Sequence, residues 1–164
     1  MSMLGLARGW FGVAGLVFLA VAAVAQPAPP QQVTTDPLVP TAAATHFATL
    51  TGQGEIPPVN TPATGYAWIR FDPQTNMLTW TVEYSGLSGP ATGVHFHGPG
   101  VRGMIAAVAL SLGSTAVLTS PLQGSVVLNA GQAAQFSAGR WYLNIHTAAH
   151  PDGEIRGQAV ALPN

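Results

Sequence analysis

The sequence predicts an all-β domain: an antiparallel Greek-key β-sandwich or flattened barrel of about eight strands, with at most one short helix. Three observations carry that expectation. From Thr45 onward the apolar residues alternate with polar ones in short runs. Gly, Pro, Asn and Asp interrupt those runs at intervals of about 8–15 residues. Only one stretch, 129–138, starts like a helix, with Asn129 as cap and Gln132 at the capping-box position.

The elements follow in order. Residues 46–50 form a first strand, and 52–64, rich in Gly and Pro, a loop. Residues 65–71 set Ala67, Ile69 and Phe71 on one face and Tyr66, Trp68 and Arg70 on the other. Residues 72–76 make a turn, because Pro73 presets φ while Asp72 and Asn76 bond back to nearby amides. Residues 77–84 then place Leu78, Trp80, Val82 and Tyr84 on one face, completing a hairpin. Further strands are expected at 94–97, 104–112, 122–128, 140–146 and 154–162.

Ahead of the domain, residues 1–25 have the layout of a secretory signal peptide. Arg8 supplies a positive charge, residues 10–22 are apolar or Gly, and Ala23-Val24-Ala25 suits a small-x-small cleavage site. Retention of this segment as an N-terminal anchor is the alternative reading. Residues 26–44 hold five prolines without periodicity and read as a semi-extended linker to a single domain at 45–164.

Composition narrows the function. Only 7% of the 164 residues are charged, with five arginines and no lysine, against about 25% in an average soluble domain. So few cations cannot neutralise a run of phosphates, which excludes nucleic acid as a partner. No membrane insertion is expected once the leader is gone, since no basic amphipathic helix is present. With no cysteine, disulfides, thiolate metal sites and cysteine catalysis are excluded. Gly-x-Ser-x-Gly, the phosphate-binding loop and His-Glu-x-x-His are absent too, and no catalytic residue is assigned.

Histidine is the remaining chemical resource. His95 and His97 stand two apart on one strand, so both rings leave the same side of the sheet. In the strand 140–146, His146 shares a face with Tyr142 and Asn144, opposite Trp141, Leu143 and Ile145. Were the two strands neighbours, three imidazoles would converge, a donor set suited to copper or zinc. The competing reading leaves a His-x-His pair solvated on a polar face. His150, in the turn before Pro151, and His46, near the first strand's start, are additional candidate ligands. Asp152 and Glu154 could fix an imidazole tautomer, although Asp152-Gly153 also suits a plain turn and Glu154 a pairing with Arg156 or Arg140.

These residues also carry a resemblance. LSGPATGVHFHGP at 87–99, GRWYLNIHTAAHPDGEIRGQ at 139–158 and GQGEIPP at 52–58 resemble, in order, the blocks of the CHRD (chordin-type) domain family. The likeness covers about residues 45–162. One departure is the short loop at 98–103, so no ligand is carried over from it. The resemblance implies a β-sandwich of the bacterial exported, single-domain type. In chordin such domains belong to an extracellular antagonist of growth factors. More locally, GVHFH at 93–97 and GRWYLNIH at 139–146 resemble the copper-ligand strands of copper–zinc superoxide dismutase. That likeness implies copper on His95, His97 and His146. The bridging histidine, zinc loop and disulfide have no counterpart here, so at most one metal ion is implied.

The expectation is therefore an exported protein, periplasmic or extracellular, holding one copper ion (zinc as the alternative) for storage, delivery or redox chemistry. Superoxide dismutase-like activity is its specific enzymatic version. The alternative is an extracellular interaction module with a protein partner or a second copy of itself, and no metal.

Overall fold

A computed structural model describes residues 44–113 and 118–163. The expected leader, and the linker up to residue 43, lie outside the described residues. Nine strands and one helix follow: β1 (His46–Thr51), β2 (Thr64–Asp72), β3 (Met77–Ser85), β4 (Ala91–His97), β5 (Val108–Ser111), β6 (Leu122–Val127), α1 (Ala130–Ser137), β7 (Tyr142–Thr147), β8 (Ile155–Gln158) and β9 (Val160–Ala161). A short 3-10 turn, Gly52–Gly54, follows β1.

All strands pair antiparallel in the order β5-β4-β7-β8-β1-β2-β3-β6, with β9 also on β1. The sheet curls into a half-barrel. Its closure is visible in the core. Trp80 of β3 and Phe96 of β4, from opposite wings of the sheet, meet edge to face at 6.3 Å. Phe136 of α1 packs into the same core, touching Phe71, Phe96 and Trp141. Trp80, Phe96, Phe136 and Trp141 are all buried, and truncating an aromatic of this kind costs about 3–5 kcal/mol.

The β2–β3 hairpin forms in full register from Thr64↔Ser85 to Asp72↔Met77. Its buried row is the expected one, Ala67, Ile69 and Phe71 against Leu78, Trp80 and Val82. Asn76, at φ 56, takes the left-handed turn position that Asn tolerates. The helix carries its expected capping box: Asn129 Oδ1 accepts from the Gln132 amide at 2.9 Å, and Gln132 Oε1 accepts from the Asn129 amide at 3.1 Å.

Four expected strands differ, β4 by starting earlier, at Ala91. The run 104–112 is a strand only at β5, because residues 101–107 turn outward, with the Met104 amide bonded to the Val101 carbonyl. The run 140–146 starts at Tyr142, since the Arg140 amide is taken by Gln135 at the end of α1. The run 154–162 breaks at Ala159, whose amide bonds to the Trp141 carbonyl, and resumes as β9. Beside β9, the Leu162 amide bonds to Thr45, so the two ends of the domain lie side by side. No helix among the described residues is long and apolar enough to cross a membrane.

Candidate metal centre

Strands β4 and β7 are neighbours, and their register decides the site. Gly93 faces His146, His95 faces Asn144, and His97 faces Tyr142. Alternation sends Val94, Phe96, Leu143 and Ile145 into the core, and the histidines to the outer face. There His95, His97 and His146, all half-buried, bring one ring nitrogen each within 4.8 Å of one another.

The hydrogen bonds assign most of the protons. A carbonyl can only accept, so His97 Nδ1–H donates to the Ala106 carbonyl at 3.0 Å and His146 Nδ1–H to the Pro151 carbonyl at 2.9 Å. Both rings therefore present Nε2 as a lone pair. His97 Nε2 is buried and has no partner. His146 Nε2 lies 3.1 Å from His95 Nδ1, which donates to it. Moving that one proton to Nε2 of His95 leaves one lone pair free on each of the three clustered rings. A separation of 3.1 Å is that of two nitrogens about 2.0–2.1 Å from a common ion, subtending about 100°.

Electrostatics favour the neutral rings. Burial, then the charges of His146 and His97, push the His95 imidazole down to about 4. Burial also lowers His97, as do His146 and Arg156, against the opposing bond to Ala106. Imidazoles that resist protonation remain donors in mildly acidic water.

The surroundings contain groups that the sequence reading did not single out. Gly93 is the floor of the site: a Cβ there would stand 2.7 Å from His95 Cε1 and 3.4 Å from His146 Cδ2. The Tyr142 ring lies flat against His97, with centroids 4.9 Å apart and planes 3° apart. Its hydroxyl accepts from the Ala106 amide at 3.1 Å, holding the residue whose carbonyl orients His97. The sequence alone assigns Tyr142 no role at the site. The signal available was its shared face with His146.

Other expected roles resolve differently. His46 points into the core, where its ring meets Phe136 at 4.6 Å, and His150 lies in the turn after β7; neither belongs to the histidine group. The imidazole tautomers are held by the backbone carbonyls of Ala106 and Pro151, and not by Asp152 or Glu154. Glu154 does not pair with Arg156 or Arg140. It is fully buried and accepts from the Thr61, Ser88 and Thr147 hydroxyls and from the Ser88 amide. A cavity of about 360 Å³, lined by Glu55, Arg102, Arg156 and Gln158 among others, includes none of the three histidines.

Fold and site together define a small all-β domain with a three-imidazole cluster on its outer face. A comparison with protein families matches the CHRD domain over residues 46–159, and the chain belongs to that family. CHRD domains occur in extracellular and secreted proteins. No curated protein and no solved structure matches the chain.

Proposed function

We propose that this CHRD domain binds one copper ion through His95 Nδ1, His97 Nε2 and His146 Nε2, holding, delivering or cycling it outside the cytoplasm. The observation that carries the reading is the buried, partnerless Nε2 of His97, in a ring already oriented by the Ala106 carbonyl and grouped with two further imidazoles. A buried polar atom without a partner is costly in a finished structure, and a ligand relieves it. Three neutral nitrogens suit copper and zinc alike, and copper binds such a set more tightly. No thiolate is present to favour a softer or structural site. When bound, copper would supply one-electron chemistry; the protein supplies neutral, pre-oriented donors and partial shelter from water.

The test is a Cu(II) titration followed by electron paramagnetic resonance. Expected is a one-to-one site with nitrogen hyperfine structure that His95→Ala and His146→Ala abolish while circular dichroism stays unchanged. Weak uptake that survives both substitutions would overturn the reading.

A second reading, an interaction module, draws on the loop before β5 and the first residue of that strand. Val101, Met104, Ile105 and Val108 stand 49%, 56%, 72% and 51% exposed there, an apolar patch of the kind found at interfaces.

A further inference from the structure

Behind His97 lies a stack that copper binding as such does not need. One face of the Tyr142 ring covers His97, and the Arg156 guanidinium lies 3.4 Å from the ring's centroid. Because β4 and β8 flank β7 on opposite sides, His97 and Arg156 approach Tyr142 from opposite sides. Arg156 is only 5% exposed, and it donates to the Met104 carbonyl, which fixes the loop carrying Ala106. The Tyr142 hydroxyl also donates to the Ala106 carbonyl at 3.3 Å, the acceptor that His97 Nδ1 uses. One guanidinium thus braces the ring and the loop that together orient a single imidazole.

Packing alone would be satisfied by a neutral side chain of similar length. A guanidinium adds a charge that no physiological pH removes. At 5% exposure it is screened less than a surface charge, and it acts on the neighbouring site at the effective dielectric of about 20 typical of buried groups.

We propose that Arg156 is a positioning residue that sets the redox balance of the copper site, its charge held behind His97 by the Tyr142 ring so as to favour cuprous over cupric copper. The inference rests on the copper reading. A fixed cation repels a doubly charged ion more than a singly charged one, so the ratio of cuprous to cupric affinity rises with it. Neutralising Arg156 should lower that ratio by roughly tenfold, which is about 59 mV for a one-electron couple.

The experiment is a redox titration of the copper-loaded protein, one electron per site, followed by the cupric resonance signal. Arg156→Gln and Arg156→Met should both shift the midpoint downward while keeping one-to-one binding. Arg156→Lys, which keeps the charge but draws it off the ring toward water, should fall between them and the wild type. Midpoints unchanged in folded neutral variants would overturn the proposal and leave the copper reading standing. Should one neutral variant fail to fold, the other decides, and a midpoint equal to the wild type overturns the proposal. A wild-type protein that takes up no copper overturns both.

Discussion

Two polar clusters lie a few residues apart on this domain, and they are finished to different degrees. Around Glu154 every carboxylate lone pair in reach is used. Oε1 accepts from Thr61 at 2.8 Å and the Ser88 amide at 2.9 Å, and Oε2 from the Ser88 hydroxyl at 2.6 Å and Thr147 at 2.7 Å. Burial alone would raise that carboxyl, yet these donors outweigh it and hold it below its ordinary range. Around the histidines, one hydrogen bond links two of the rings, and His97 Nε2 has no partner. A saturated cluster ties segments together; an unsaturated one is shaped for something else. Adjacent positions, His146 and Thr147, serve the two purposes by pointing to opposite sides of β7.

The comparison breaks most visibly at the saturated end. Glu154→Ala removes the buried acceptor of four hydrogen bonds, although the Ser88 and Thr147 hydroxyls keep each other at 3.0 Å, and should cost about 3 kcal/mol, read as a lower urea midpoint at unchanged slope. The histidine substitutions should do the reverse, abolishing metal uptake while leaving the midpoint almost unmoved. If His97→Ala unfolds the protein, the two clusters are not distinct in kind.

A smaller effect is expected at Gly93. An alanine Cβ would crowd the His95 ring, turning it without removing it. Copper affinity should fall by about tenfold, in the range seen when supporting residues are changed, and stability should change little. Unaltered affinity would mean that His95 is not held by this contact.

A last effect, read only through its pH dependence, involves the second buried carboxyl. Burial raises Glu55 to about 7, against the opposing pull of Arg156, the Ile56 amide and Asn144. A raised carboxyl stays protonated when folded while the unfolded chain ionises near 4.5, so stability falls as pH rises from about 4.5 to 7 and then levels. His95, lowered to about 4, acts with the opposite sign, since its unfolded form binds a proton that the folded form refuses. Glu55→Gln should therefore steepen the gain in stability with rising pH over this window. Urea midpoints at pH 5 and pH 7.5 check it, and parallel profiles for variant and wild type would exclude the assignment.

Period-two alternation made β2, β3 and the inner faces of β4 and β7 legible, because there one side of the strand is core. It also set the three histidines on a common side. Their convergence depended on β4 pairing with β7 across a span of intervening chain, a nonlocal contact that no local pattern encodes. The carbonyls of Ala106 and Pro151 were illegible for a related reason: backbone acceptors leave no residue-type signature. Met104 misled because an apolar run beside a strand looks like more strand, whereas here it turns outward to serve His97. Glu154 misled because nearby arginines suggest ion pairs, while the fold surrounded it with hydroxyls from distant segments.

The joining of Thr45 to Leu162 has a wider meaning for how such a unit can be used. A fold that starts and stops at one point can be spliced into a surface loop of another protein, or threaded many times along one chain, without stretching its host. A circularly permuted version with a short bridge between these residues and new ends in the Asp72–Asn76 turn should keep its histidine cluster intact. Evolution then has a portable cassette, one whose histidine-bearing face travels unchanged from host to host.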